Sequence, residues 1–191
     1  MRLNKIILSF VSALVILFST SVASFAKVVG DKIILGAAIS LTGKYSSNGV
    51  HTQNGYNMAV DRINSMGGVK VGGKTYKFDI IYYDDESNPK RAAQLAERLI
   101  SQDGVEFMLG PYSSGLTKAI APVTEKYGVP MVEANGASRS LFTKGYKYLF
   151  AVLAPANLYL DVAIDLAVEK KITNAETKLK IILFNLILFP L

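Results

Sequence analysis

The chain contains no cysteine, no tryptophan and a single histidine among its 191 residues. Without cysteine there is no disulfide framework, and lipid attachment at a cysteine is excluded. One histidine, His51, falls short of the ligand set a zinc site requires. A serine-hydrolase triad would bring a G-x-S-x-G elbow, and the sequence has none. The glycines near Val71 do not form G-x-G-x-x-G after a strand, so the dinucleotide fingerprint is also missing. The formal net charge is +6, yet the lysines are scattered, with pairs only at Lys170-Lys171 and Lys178/Lys180. No arginine stripe or basic-aromatic array is present, so nucleic acid is not an expected partner. Nothing here calls for a cofactor, and no catalytic set is assigned.

What the sequence does have begins with a processing signal. Met1 to Lys5 is basic, Ile6 to Phe18 is apolar but too short to span a bilayer comfortably, and Ser24-Phe25-Ala26 places small residues for cleavage. This reads as a signal peptide over residues 1–26, cut after Ala26, with a retained N-terminal anchor as the alternative. Export without disulfides suits the bacterial periplasm.

Beyond residue 26, strand and helix patterns alternate. Ile33 to Ile39 is a continuous apolar run, as in a strand buried on both faces. A polar loop is expected over Ser40 to Asn54, with His51 in it. Tyr56, Ala59, Val60, Ile63 and Met66 then recur at helical spacing up to Gly67-Gly68. Val69 to Lys74 reads as a hairpin turn and Lys77 to Tyr83 as a second strand. Asn88-Pro89 is a helix start, with Ala92, Leu95, Ala96, Leu99 and Ile100 facing inward. Val105 to Leu109 is the next expected strand. Leu116, Ala119, Ile120, Val123 and Tyr127 form another helical stripe, in which Pro122 should kink the helix or delay its regular part. Val129 to Val132 and Tyr146 to Leu153 are further extended segments, and Leu158 to Lys171 is helical by spacing.

Strands alternating with amphipathic helices specify an α/β fold: a Rossmann-like, mostly parallel sheet with flanking helices. Right-handed crossovers bring the strand-to-helix loops to one sheet edge, where ligands bind. Three polar loops fall there: Ser40 onward, Pro111 to Gly115, and Ala134 to Ser138. In Gly110-Pro-Tyr112-Ser113-Ser114-Gly115, the two hydroxyls stand at a helix N-terminus and could hold a carboxylate; alternatively, Ser114 simply caps its own helix. In Glu133-Ala-Asn135-Gly136-Ala137-Ser138, Asn135, Ser138 and the local N–H groups could face the cleft, or the segment is an ordinary turn. Asp84-Asp85-Glu86 precede a helix N-terminus, where acids are expected for dipole reasons, so no metal site is assigned.

Taken in order, GAAISLTGKYSSNG, NGYNMAVDRINSMGGV, YYDDESNPKRAAQLAERLI, MLGPYSSG, YGVPMVEANGAS and FTKGYKYLF resemble the periplasmic leucine/isoleucine/valine-binding protein family. These are the type I solute-binding proteins of ABC importers. The resemblance covers roughly Lys32 to Glu169. It implies two α/β lobes joined by hinge strands and closing on a small ligand, delivery of that ligand to a membrane permease, and no enzyme activity. It places a serine for the ligand's α-carboxylate at Ser114, a backbone carbonyl at Asn135 and a threonine hydroxyl at Ala137. A side-chain-lining tyrosine falls on Asn48. Two departures bear on the ligand: Ala137 has no hydroxyl, though adjacent Ser138 has one, and Asn48 exchanges an aromatic wall for an amide. Relatives of this kind also take other amino acids, amides, urea or aromatic acids. The candidate ligand residues are thus Ser113, Ser114, Tyr112, Asn135, Gly136, Ala137, Ser138 and Asn48.

The implied arrangement is a first lobe over residues 27–150, then a hinge crossing and the start of a second lobe over residues 151–191. The ending, Ile181 to Leu191, is almost purely apolar, and reads as a truncated or frame-disrupted chain; the alternative is a short protein whose tail forms a buried strand. Other functions to weigh are a ligand-sensing receptor domain of the same fold and a secreted α/β enzyme.

Overall fold

A computed structural model of the protein describes residues 27–169. The segment expected to be a signal peptide, residues 1–26, and the apolar ending lie outside the described residues.

The elements follow in chain order. Strand β1 (Val28–Val29) leads into β2 (Lys32–Ile39), helix α1 (Ser46–Ser65), the β3 (Val69–Val71) and β4 (Lys74–Asp84) hairpin, and helix α2 (Pro89–Ser101). Strand β5 (Met108–Leu109), helix α3 (Ser114–Tyr127), β6 (Met131–Glu133), β7 (Leu149–Ala151) and helix α4 (Asp161–Glu169) complete the order. The sheet runs β3-β4-β2-β5-β6-β7, with β1 also on β2. The pairings of β2 with β4 and β5, of β5 with β6 and of β6 with β7 are parallel. Among the described residues only the β3–β4 hairpin and the β1–β2 pair are antiparallel.

The chain steps from β2 outward to β4, then back across β2 to β5. With right-handed crossovers this reversal puts α1 on one face of the sheet and α2 and α3 on the other. It also opens a crevice at the carboxyl ends of β2 and β5, the topological switch point of an open α/β sheet.

Helices α2 and α3 enclose the main core. Ala92, Ala96 and Leu99 of α2 and Leu116, Ile120 and Ala121 of α3 are buried with Ile34, Ala38, Met108 and Met131 of the sheet. Each large aliphatic side chain removed from water here contributes about 1.5–3 kcal/mol. The small residues at 92 and 96 let α2 approach the strands closely. At Gly36, a Cβ would come within 2.9 Å of both Met108 and Val105, so the strand needs glycine to admit those side chains. The start of α2 is as expected: the Asn88 side chain accepts the N–H groups of Lys90 and Arg91, with Pro89 at the first helical position. Gly128, at φ +67°, closes α3 in the left-handed conformation.

Several boundaries differ from expectation. Helix α1 begins at Ser46, so Asn48 and His51 are helical and not in a loop. The segment Ser46-Ser-Asn-Gly49 has poor intrinsic helix propensity, and packing holds it: buried Gly49 lies against the Ser40 carbonyl, where any Cβ would collide with backbone. The stripe of α1 is not buried as expected either; Met66 is 68% exposed, and only Gly49 and Thr52 are buried. Polar bonds hold that helix instead. The Asn64 amide donates to the Phe78 carbonyl at 2.8 Å and accepts the Phe78 N–H at 2.8 Å. Helix α3 runs unbroken through Pro122, whose missing hydrogen bond falls on the exposed side of the helix, open to solvent. The strand expected from Val105 pairs only at Met108–Leu109, although Val105 is buried. The last two strands are likewise short, Met131–Glu133 and Leu149–Ala151.

Candidate functional site

The loops after β2, β5 and β6 meet at the carboxyl edge of the sheet, together with the first turns of α1. Each is tied by specific bonds. Asp84, at the end of β4, accepts the N–H groups of Leu41 and Thr42 at 2.9 and 3.1 Å and the Thr42 hydroxyl at 2.7 Å. Burial opposes its ionisation, but the bonds from the Thr42 hydroxyl and from the N–H groups of Glu86, Thr42 and Leu41 outweigh it and hold its pKa below the usual carboxylate value. Asp85 is fully buried and accepts the Ser40 hydroxyl at 2.6 Å and the Ser87 N–H at 2.8 Å. Burial raises its pKa. Glu86 pairs with Arg91 at 3.3 Å. Two of the three acids therefore organise the first loop, a role beyond the helix-dipole one expected for them. Among the described residues no group of three or more histidine or acidic side chains is placed to hold a metal.

The loop after β5 and the loop after β6 are joined directly. The Ser138 N–H donates to the Ser114 hydroxyl oxygen at 3.0 Å. Ser114 does not cap its helix: Ser113 is the N-cap, its hydroxyl accepting the Leu116 N–H at 3.4 Å. Ser113 has φ +81°, a conformation rarely adopted by a side chain with a Cβ and typical of functional loops. Among the described residues the Ser114 hydroxyl is engaged as an acceptor, from Ser138. The N–H groups of Ser114 and Gly115 stand beside it in the first turn of α3, where no intrahelical carbonyl serves them.

The third loop departs from expectation. The N–H groups of Asn135 and Gly136 do not face a ligand; both donate to Glu133, at 2.5 and 2.6 Å. Gly136 is buried and so lies beneath the site. The Ala137 carbonyl accepts the Ala156 N–H at 2.8 Å, and the Ser138 hydroxyl lies 2.9 Å from that of Ser140. Glu133, absent from the sequence-based candidates, is the organiser of this loop. It is fully buried, reaches beneath Gly110, and lies 2.6 Å from the Thr117 hydroxyl. Burial raises its pKa against the bonds from Thr117 and from the N–H groups of Asn135, Gly136 and Ala134. The available signal was a lone acid in the apolar run VPMVEA.

Between α1 and these loops lies an open cleft of roughly 390 Å³, within the range of small-ligand sites. Helix α1 lines it with Asn48, His51, Thr52, Gly55 and Tyr56, and the loops add Tyr112, Ala134 and Asn135. Of the expected ligand residues, Asn48, Tyr112 and Asn135 therefore line the cleft, whereas Ser113, Ser114, Ala137 and Ser138 stand in the adjoining loops. Tyr112 is braced edge-on by Tyr45, ring centroids 5.6 Å apart. The Tyr56 hydroxyl donates to the Gly110 carbonyl at 2.7 Å, and burial raises its pKa well above the ordinary tyrosine value. His51 and Tyr56 were not among the candidates for this wall, because their segment reads as a loop followed by a core stripe.

Comparison with known proteins bears on this geometry. Residues 32–176 match a family model described as periplasmic binding protein. The leucine-, isoleucine-, valine-, threonine- and alanine-binding protein of Pseudomonas aeruginosa is 29% identical over 145 residues, 75% of this chain and 38% of that one. A branched-chain amino acid transporter substrate binding protein from Streptococcus pneumoniae, solved with isoleucine, superposes with a TM-score of 0.60 at 31% identity, over 66% of this chain and 35% of that one. A solute binding protein from R. palustris, solved with 4-hydroxybenzoate, gives a TM-score of 0.60 at 30% identity, over 73% and 36%. The chain thus spans well under half the length of the relatives it matches.

Proposed function

The chain belongs to the periplasmic binding protein family, and on that premise we propose that it contributes one wall of a solute site that captures a small carboxylate, an amino acid or related acid, for an ABC importer. The relatives named above are binding proteins, not enzymes, and the sequence offers no catalytic set against that reading. The observation that carries the ligand class is the link between Ser114 and Ser138. It leaves one hydroxyl proton and the N–H groups of Ser114 and Gly115 together at a helix N-terminus, an arrangement suited to an anion. In this reading Ser114 is the carboxylate anchor, Ser113 and Ser138 hold the anchor in place, and Tyr112 and Asn135 flank the ligand. The lobe of residues 27–150 supplies these groups, with residues 151–191 starting the crossing to a second lobe. Export to the periplasm and transfer to a membrane permease are parts of the same proposal.

The test is ligand-observed NMR of the purified chain, a method that detects millimolar binding, against amino acids and aromatic acids, each paired with its methyl ester. Binding should require the free carboxylate, and Ser114→Ala should weaken it by tenfold or more, about 1.4 kcal/mol. Equal binding of acids and esters would refute the carboxylate reading.

A further inference from the structure

The cleft wall presented by α1 has a chemistry of its own. Residues 48, 51, 52, 55 and 56 recur at the spacing of one helix face, the spacing at which a core-facing helix carries apolar side chains. Here the face reads Asn, His, Thr, Gly and Tyr, and it lines the cleft. Two of these groups are already engaged: the Thr52 hydroxyl donates to the Asn48 carbonyl at 2.9 Å, and the Tyr56 hydroxyl to Gly110. The Asn48 amide and the His51 imidazole are exposed on the cleft wall, three residues apart on the same helix face. Between them and Tyr56 stands Gly55, where an added Cβ would meet nothing within 4 Å.

We infer that this wall reads a second polar group at the far end of the bound carboxylate, and that the group is a neutral hydroxyl or amide. The inference rests on the carboxylate reading above and adds the ligand's other end. A branched aliphatic end would strip water from Asn48 and His51 and return no hydrogen bond, at about 1–3 kcal/mol for each group left unpaired. A hydroxyl or amide satisfies both, since amide and imidazole each offer a donor and an acceptor. A second carboxylate is disfavoured for a different reason. Among the described residues no lysine or arginine lines the cleft, and a second desolvated anion on the α1 wall would lack both a fixed opposite charge and the helix N-terminal donors proposed for the first. Tyr112 and Tyr56 supply apolar faces for the middle of the ligand.

Near-isosteric ligand pairs test this. Ligand-observed NMR titrations of the full chain compare threonine with valine, asparagine with leucine, and 4-hydroxybenzoate with 4-methylbenzoate. The polar member should bind at least about tenfold more tightly in at least one pair, and Asn48→Leu combined with His51→Leu should abolish that preference. Gly55→Leu, which grows into open space, should block every ligand while leaving thermal stability unchanged or raised. Equal or reversed preference, with carboxylate binding intact, overturns the inference and leaves the carboxylate reading standing. A preference that survives the double substitution overturns the assignment to Asn48 and His51. Loss of binding to all carboxylates overturns both readings together.

Discussion

Ser138 donates its backbone N–H to the hydroxyl of Ser114, across 24 residues of sequence and between two different βα units. The bond occupies one acceptor direction of the serine oxygen and so narrows the directions open to its proton before any ligand arrives. Such preorganisation lowers the entropic cost of binding.

Ser114→Ala should therefore act twice. It removes the proposed anchor, and it leaves the Ser138 N–H without its acceptor, at a stability cost of about 1 kcal/mol. Urea denaturation reads the second effect independently of ligand. Ser114→Thr keeps the hydroxyl and should restore most of that stability.

Glu133 yields a prediction in pH. The Thr117 hydroxyl lies 2.6 Å from the Glu133 carboxyl and 2.9 Å from the Ser113 carbonyl, one proton between two acceptors. A proton on Glu133 resolves the shortage, in accord with its raised pKa. A carboxyl with a raised native pKa stabilises the fold below its unfolded value, near about 4.3, and loses that contribution as the pH rises through the native value. The stability of the wild type relative to Glu133→Gln, which does not titrate, should therefore increase as the pH falls from neutrality through that window. A flat difference would count against the proton. Gln satisfies the same geometry, accepting from the two N–H groups and donating to Thr117, so it should fold well. Ala orphans those N–H groups and should cost about 2–4 kcal/mol.

Two glycines of one helix should respond oppositely to alanine. At Gly49 the methyl group would collide with the Ser40 carbonyl, and the overpacking should cost about 1–3 kcal/mol despite the better helix propensity. At Gly55 the space is open, and alanine should stabilise by about 0.5–1 kcal/mol. Thermal denaturation of the two variants distinguishes them by sign.

At the start of α2, Asn88→Ala removes the acceptor for the N–H groups of Lys90 and Arg91, at 2.9 and 3.2 Å. Loss of such a cap should cost about 1 kcal/mol, and Asn88→Asp should recover it, as a good cap with favourable charge at a helix N-terminus. Chemical denaturation of the pair measures both.

These residues also show what was readable in the sequence and what was not. Asn88-Pro89, Gly128 and the inward face of α2 were legible because local chemistry and packing agree there; on α3, Leu116 and Ile120 are buried as expected, but Tyr127 is exposed and Thr117 and Thr124 are buried instead. The start of α1 was not, because tertiary contact at Gly49 overrides the poor propensity of Ser46 to Asn48. The loops after β5 and β6 were identified as partners, but the roles within them were permuted: Ser113 caps where Ser114 was the candidate, and Asn135 and Gly136 spend their N–H groups on Glu133. Hydrogen-bond assignment among neighbouring polar groups depends on distances of an ångström or less, which residue order does not encode. The polar face of α1 was hidden for the same reason as the start of that helix, since Asn48, His51 and Thr52 fall in a segment that reads as a loop.

The vacancy at Gly55 has a practical corollary. Because the sequence contains no native thiol, Gly55→Cys would carry the sole reactive sulfur of the molecule, aimed into the recess from an ordinary helical position. A bulky label attached there would fill the recess as Gly55→Leu does, so that loss of solute binding on labelling, with the fold intact, would mark the recess as the place of binding.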